Sequence, residues 1–288
     1  MHPAAEWLMA AQSISLSRMP PTISPASALR KVALRGADGK VTPSATGFLD
    51  VSEGGYAIRQ DIFSKDRDSV TANIVFDLDG TLIDSAPDIQ GIANGLLVAR
   101  SLDPIDLDTT RRFIGKGAAS FIEQLRTARG IAEVEQAPML DEFVARYDDA
   151  VKLTRPYPGV EEALERLSAQ NVLGICTNKP HRPCIAVLRH LGLDRFFRVV
   201  LGGDSLPVRK PDPLPLLCTF EKMGSGPRIF VGDSETDAET AARAGVPFLL
   251  FSRGYRTSPI ERLPHAAVFE EFGDLPAIVD AALGRREH

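Results

Sequence analysis

Short apolar runs recur along the chain from residue 73 onward, each closed by Gly, Asp or another turn-forming residue. They are NIVFDL (73–78), VLGICT (172–177), RVVLGG (198–203), RIFVGD (228–233) and PFLLF (247–251). Runs of this length without polar alternation are typical of strands that are buried on both faces of a parallel sheet. The pattern therefore predicts five buried strands.

Helical patterns separate the last four strands from one another and from what precedes them. They lie at 159–170, 181–192, 212–224 and 235–245. Alternation of strands and helices favours a parallel sheet with helices on both faces, because the connections between parallel strands must cross over the sheet. The predicted fold is an α/β, Rossmann-like sheet sandwiched by helices.

One interval breaks this alternation. Between the first strand and the helix at 159, helical patterns appear near 87–100, 109–114, 117–130 and 137–154, without a strand pattern. A structureless loop of this length is uncommon in a compact domain. The sequence therefore predicts an all-helical insertion over 87–155, within a core formed by 71–86 and 156–288.

The first 70 residues differ from the rest of the chain. They are rich in Ser, Pro and Ala and show no sustained apolar period. Three interpretations remain open: a flexible N-terminal extension, residues upstream of the functional start, and an organelle transit peptide.

Composition narrows the class of protein. With 288 residues, 44% hydrophobic residues and a net charge of −5, the chain is typical of a globular protein that binds neither nucleic acid nor an anionic membrane. Its three cysteines have no CxxC spacing, which argues against disulfides and thiolate zinc sites and predicts a reducing, cytoplasmic location. The sequence is compatible with a monomer or a homodimer.

Acidic residues, one threonine and one lysine follow the predicted strands. They are Asp77, Asp79, Thr177, Lys210, Asp233 and Asp237. In an open α/β sheet, ligands bind beyond the carboxyl ends of the strands. We therefore expect these residues, which span 160 positions, to converge at one edge of the sheet.

These residue types suit phosphoryl transfer. Mg²⁺ binds through one or two carboxylates. We expect the side chains of Asp77 and Asp233 and the backbone carbonyl of Asp79 to hold it. A carboxylate can act as a nucleophile, a second one can exchange protons, and Thr177 and Lys210 can bind the phosphoryl oxygens.

Four stretches resemble the motifs of the haloacid dehalogenase superfamily, in order. They are DLDGTLIDS (77–85), TNK (177–179), RKPDP (209–213) and VGDSETD (231–237). The resemblance covers about residues 73 to 284. It implies Asp77 as nucleophile, Asp79 as acid and base, Asp233 as metal ligand supported by Asp237, and a helical cap over the site.

Longer stretches resemble the phosphoglycolate phosphatase family within this superfamily. They are DLDGTLIDSAPDI (77–89), IGKG (114–117), YPGVEEAL (157–164), TNKP (177–180), LGGDSLPVRKPDPLPL (201–216) and VGDSETDAETAARAGVP (231–247). The resemblance implies an Mg²⁺-dependent phosphoric monoester hydrolase that converts 2-phosphoglycolate to glycolate and phosphate through an aspartyl-phosphate.

Several alternatives stay open at this point. The chain could be a sugar-phosphate phosphomutase, a phosphatase for another small ester or pyrophosphate, or a non-catalytic binding module. Asn178 is a candidate phosphoryl ligand. The Gly115-Lys116-Gly117 segment has two interpretations: a cap loop that brings Lys116 to the substrate, or a turn with an exposed lysine.

Overall fold

The computed structural model describes residues 71–285, and the extension expected at 1–70 lies outside these described residues. The strands are β1 (Asn73–Phe76), β2 (Ile83–Asp84), β3 (Arg155–Pro156), β4 (Val172–Cys176), β5 (Phe197–Leu201), β6 (Arg228–Gly232), β7 (Phe248–Phe251) and β8 (Ala267–Phe269). The helices are α1 (Ala86–Val98), α2 (Leu107–Phe113), α3 (Ala118–Ala128), α4 (Gln136–Tyr147), α5 (Val160–Ser168), α6 (His181–His190), α7 (Leu214–Met223), α8 (Glu235–Ala244) and α9 (Leu275–Ala282).

Six strands form one sheet in the order β5-β4-β1-β6-β7-β8, and every neighbouring pair is parallel. The predicted parallel sheet is therefore confirmed. Strand β1 lies in the interior of the sheet, between β4 and β6. The residues that follow β1 consequently meet the ends of both neighbouring strands.

Alternate side chains of β1 face opposite layers of helices, as the period of two in a strand requires. Ile74 and Phe76 pack with α5, α6 and α9, whereas Val75 packs with α7 and α8. All three side chains are fully buried between the sheet and the helices. Each such large apolar side chain contributes about 1.5–3 kcal/mol through its removal from water.

Helices α1 to α4, which we call the cap, lie in the chain between β2 and β3 and have a hydrophobic core of their own. Its centre includes Leu96, Phe121, Leu125 and Phe143. A separate core shows that the insertion is a packed helical unit rather than a long loop. The predicted helical cap is confirmed.

The two chain segments that connect cap and core run side by side. Strands β2 and β3 pair antiparallel, with Ile83 opposite Pro156. Beside them, Asp88 Oδ2 accepts hydrogen bonds from the backbone N–H groups of Leu153 (2.9 Å) and Thr154 (2.6 Å), and from Thr154 Oγ1 (2.7 Å). These bonds hold the returning segment in a non-helical conformation, so α4 ends at Tyr147 and not near 154 as its pattern predicts.

The sequence pattern missed β2, β3, β8 and α9. The three strands have two or three residues each, which is too short to show a period. Within the described part of the chain, no helix is long and apolar enough to cross a membrane.

Candidate active site

Residues that follow β1, β4 and β6 meet with residues of the loop after β5 and of α8 at the carboxyl edge of the sheet. Asp77 directly follows β1 and donates its backbone N–H to Val231 of β6 (2.9 Å). All six predicted strand-end residues are buried, namely Asp77, Asp79, Thr177, Lys210, Asp233 and Asp237. The fold therefore brings together the residues that the sequence places far apart.

Lys210 lies between two carboxylates. Its Nζ is 2.9 Å from Asp77 Oδ1 and 2.6 Å from Asp237 Oδ1. Asp77 Oδ1 is buried, and apart from its ion pair with Lys210 it has no hydrogen-bond partner. This oxygen is thus close to a positive charge yet has a free lone pair.

Asp237 has both carboxylate oxygens engaged by the protein. Oδ1 contacts Lys210, and Oδ2 accepts hydrogen bonds from Ser234 Oγ (2.6 Å) and from the backbone N–H groups of Ser234 (3.1 Å) and Asp233 (3.3 Å). Ser234 and Asp237 form a reciprocal capping box at the start of α8. Asp237 therefore fixes the loop that carries Asp233.

The carboxylate of Asp233 is oriented by two hydrogen bonds, one from the turn after β1 and one from the loop after β7. Its Oδ1 accepts a hydrogen bond from Thr81 Oγ1 (2.7 Å), and its Oδ2 accepts one from the backbone N–H of Tyr255 (2.6 Å). Gly80 has a φ of +87°, and a Cβ there would come within 2.6 Å of Asp233 Oδ2. Only glycine therefore allows the turn after β1 to approach Asp233 so closely.

Burial and mutual repulsion perturb the acidic cluster. Burial, and then repulsion from Asp237, raise the pKa of Asp77 to about 7 although Lys210 opposes the change. The same two causes, with added repulsion from Asp77, raise the pKa of Asp233 well above its ordinary value. Lys210 is paired with only two of the three carboxylates, so the site carries uncompensated negative charge when all three are ionised.

The cluster fits a divalent cation. One oxygen each from Asp77, Asp233 and Asp237 lie within 4.8 Å of one another. Because the oxygens of Asp237 are already engaged, Asp77 and Asp233 are the candidate side-chain ligands, as the sequence predicts. Hard carboxylate oxygens suit Mg²⁺.

Asp79 has a different environment from Asp77. Its Oδ1 accepts hydrogen bonds from Ser85 Oγ (2.5 Å) and Lys179 Nζ (3.2 Å), and Oδ2 lies 3.4 Å from the same Nζ. Lys179 Nζ also contacts Tyr147 Oη of the cap at 3.0 Å. Burial lowers the pKa of Lys179, but its contacts with Asp79 and Tyr147 outweigh that effect and hold the pKa above its ordinary value.

The sequence reasoning missed Lys179 as a site residue. It stands in the TNK stretch, but Lys after two strand-end polar residues is indistinguishable from a surface lysine without its partners. Thr81, Ser85, Tyr147 and Tyr255 were missed for the same reason. Thr81, Ser85 and Lys179 stand inside the quoted motif stretches, which is the signal that could have indicated them, whereas Tyr147 and Tyr255 lie outside those stretches.

Thr177 and Asn178 lie beside the carboxylates in a cavity between core and cap. The remaining wall of this cavity is largely apolar and includes Ile89, Ile114, Phe121 and Phe143. Asn178 Nδ2 donates to the carbonyl oxygens of Gly115 and Lys210, at 2.9 Å each. Its amide group thus joins the cap loop to the core, while its buried Oδ1 has no hydrogen-bond partner.

The Gly115-Lys116-Gly117 loop contributes its glycines to this cavity. Gly115 and Gly117 have φ values of +112° and +87°, which glycine adopts without strain. The Lys116 side chain is exposed and borders a different cleft, next to Arg112 and Glu235. That Lys116 approaches a substrate stays a prediction, and the exposed position of its side chain does not favour it.

The cysteines have no part in the acidic cluster. All three are free thiols. Burial raises the pKa of Cys176, the neighbour of Thr177, to about 12, so the thiol stays protonated and is a poor nucleophile.

Comparisons with known proteins agree with this geometry. The model of the family described as haloacid dehalogenase-like hydrolase matches residues 74–251. A phosphoglycolate phosphatase of Rhodobacter capsulatus is 43% identical over 212 residues, which cover 72% of this chain and 96% of that protein. Another, from Rhodospirillum rubrum, is 38% identical over 212 residues, which cover 70% of this chain and 88% of that protein.

Solved structures show the same fold. The crystal structure of a protein from Haemophilus somnus, titled a predicted phosphoglycolate phosphatase, superposes with a TM-score of 0.68 at 31% identity. The match covers 75% of this chain and all of that one. The chain belongs to the haloacid dehalogenase-like hydrolase family.

Proposed function

We propose that the protein is an Mg²⁺-dependent phosphatase of small phosphate monoesters, with 2-phosphoglycolate as its substrate. One observation carries the chemistry. The carboxylate residue Asp77 lines the cavity together with Asp79 and Thr177, and its buried Oδ1 has no hydrogen-bond partner apart from its ion pair with Lys210. The names of the curated relatives support the choice of substrate.

The first step transfers the phosphoryl group to the protein. An oxygen of Asp77 forms a bond to phosphorus while the bond between phosphorus and the leaving oxygen breaks. Asp79 gives its proton to that leaving oxygen, which departs as the alcohol. Thr177 and Lys210 hold the phosphoryl oxygens, and Lys210 offsets their charge.

The second step returns Asp77 to its carboxylate form. Asp79 takes a proton from water, the water oxygen bonds to phosphorus, and the bond from phosphorus to Asp77 breaks. Phosphate leaves, and Asp79 again carries a proton for the next turnover.

Asp77 and Asp233 would hold Mg²⁺, with the backbone carbonyl of Asp79 as a further oxygen. When bound, the ion supplies positive charge that neutralises the phosphoryl oxygens and keeps Asp77 ionised. The protein's own part is to hold these oxygens in place, which it does through Thr81, Tyr255 and the Ser234–Asp237 capping box.

In the proposed reaction cycle, residues 87–155 form a cap that opens for the substrate and closes over a core formed by 71–86 and 156–288. The apolar cap wall excludes water from the first step, when it would compete with Asp77. Three free thiols are in keeping with a reducing, cytoplasmic setting.

Phosphate release from a panel of esters tests the function. The panel contains 2-phosphoglycolate, two glucose phosphates, pyrophosphate, AMP and acetyl phosphate, each with Mg²⁺ and with a chelator. We expect the highest kcat/KM for 2-phosphoglycolate, and loss of all activity with the chelator. Metal-dependent release that prefers another ester would overturn the substrate, and a protein that binds Mg²⁺ but releases no phosphate would overturn the activity.

A further inference from the structure

The carboxylate of Asp79 is held by Ser85 and Lys179, and Lys179 in turn contacts the cap. Ser85 donates to it from the turn that leads into the cap, and Lys179 contacts both of its oxygens from the loop after β4. The side chains of Lys179 and Asp79 are 3% and 9% exposed. A buried ion pair of this kind is strongly oriented, because neither partner can exchange the other for water.

Tyr147 is the cap residue that completes this arrangement. Its Oη lies 3.0 Å from Lys179 Nζ, and the same Nζ lies 4.1 Å from the centroid of its ring. Tyr147 itself packs edge-on against Phe143, with ring centroids 4.9 Å apart, in the core of the cap. The ammonium group of a core loop is therefore bound on one side by Asp79 and on the other by the cap.

The neighbouring residue of the same loop makes a second contact with the cap. Asn178 Nδ2 donates to the carbonyl oxygen of Gly115. Residues 178 and 179 thus both form hydrogen bonds with the cap, whereas the hydrogen bonds of Thr177 join it to Leu201 and Lys179. Cap movement would break both contacts at once, at residues that directly follow a phosphoryl-binding position.

We propose that Lys179 is a positioning residue, and that Tyr147 of the closed cap fixes it so that Asp79 is aligned for proton transfer only when the cap is shut. An ammonium group donates up to three hydrogen bonds, so its position depends on which acceptors surround it. When the cap opens, Lys179 loses Tyr147 and gains water, and the Asp79 carboxylate then loses its fixed direction. This inference rests on the proposed phosphatase activity.

Two substrates of similar size separate positioning of Asp79 from other effects. The alkoxide that leaves 2-phosphoglycolate must receive a proton from Asp79, whereas acetyl phosphate loses acetate, which leaves as a stable carboxylate without one. A general acid contributes on the order of a hundredfold or more. Misalignment of Asp79 should therefore slow the first substrate and spare the second.

The experiment measures the first turnover of full-length protein with Mg²⁺ by rapid quenching, following glycolate or acetate. The variants are Lys179→Met, which removes the ammonium, and Tyr147→Phe, which keeps the ring and removes the hydroxyl. Lys222→Met is the matched control, because Lys222 is exposed on α7. We expect Lys179→Met to lower the rate with 2-phosphoglycolate at least about tenfold more than the rate with acetyl phosphate.

Tyr147→Phe should show the same selectivity at a smaller size, about threefold to tenfold, since one hydrogen bond is lost. Because Tyr147→Phe preserves the packing of the cap, this variant tests the positioning role even if Lys179→Met does not fold. An equal loss with both substrates, or no loss with either, would overturn the positioning role. Wild-type protein that processes neither substrate would overturn the proposed function, and the positioning role with it.

Discussion

Two aspartates that are only two residues apart sit in opposite electrostatic environments. Asp77 shares Lys210 with Asp237 and also lies close to Asp233, so its cluster has excess negative charge. Asp79 forms an ion pair with Lys179 and accepts a hydrogen bond from Ser85.

The difference indicates how the two carboxylates divide the work. Excess negative charge around Asp77 is favourable only if a cation joins the site, which suits a nucleophile that acts beside a metal. Charge balance around Asp79 needs no cation, which suits a group that exchanges protons with the leaving group and with water. The predictions below test this division, from the largest effect to the smallest.

Replacing Asp77, the proposed nucleophile, should have the largest effect. Asp77→Asn should lower kcat more than about a thousandfold, because an amide oxygen cannot form the covalent intermediate. Asp141→Asn, at an exposed position of α4, is the matched control and should retain wild-type turnover. Residual activity of Asp77→Asn above a thousandth of wild type would contradict the assignment.

Removing the only lysine of the acidic cluster should follow. Lys210→Met leaves two buried carboxylates, those of Asp77 and Asp237, without their ammonium partner. We expect kcat/KM to fall about a hundredfold, and the free energy of unfolding of the metal-free protein to fall by about 3–5 kcal/mol. Urea unfolding and steady-state kinetics measure the two effects. Unchanged stability relative to Lys222→Met would show that the lysine does not balance the cluster.

The pH dependence of stability should differ between wild type and Asp77→Asn. Because burial and repulsion raise the pKa of Asp77 from 3.8 to about 7, the folded state holds a proton between these pH values that the unfolded chain has lost. The free energy of unfolding of the metal-free protein therefore falls as the pH rises through this window. The asparagine variant lacks this contribution.

Thermal unfolding at about pH 5 and about pH 8 checks the sign. Wild type should lose stability relative to Asp77→Asn as the pH rises, and Mg²⁺ should stabilise wild type more at the higher pH. A constant difference between the two proteins, with and without Mg²⁺, would contradict the excess of negative charge.

Lys116 should have the smallest effect. Its side chain is exposed and borders a cleft apart from the acidic cluster. We expect Lys116→Ala to leave KM for 2-phosphoglycolate within about twofold of wild type, because surface substitutions without buried partners change free energies by about 0.5 kcal/mol or less. A tenfold rise in KM would show that the loop turns its lysine inward when substrate binds.

The long elements of the fold could be predicted from the sequence, and the short ones could not. Buried parallel strands and amphipathic helices have periods that extend over several residues, so β1, β4, β6 and their helices were evident. The paired strands β2 and β3 consist of two residues each, and their pairing depends on Asp88 and Thr154 meeting across 66 positions. Contacts of that separation leave no local pattern.

By itself, the sequence determined the α/β fold, the helical insertion, and the convergence of Asp77, Thr177, Lys210 and Asp233 at one edge of the sheet, because the ends of parallel strands must meet there. Only the tertiary structure decided which lysine serves which carboxylate. Lys210 pairs with Asp77 across 133 positions, and Lys179 pairs with Asp79 across 100. It also placed Tyr147 on Lys179 and directed Lys116 away from the cavity, since these relations depend on how the cap packs against the core and not on any local pattern of residues.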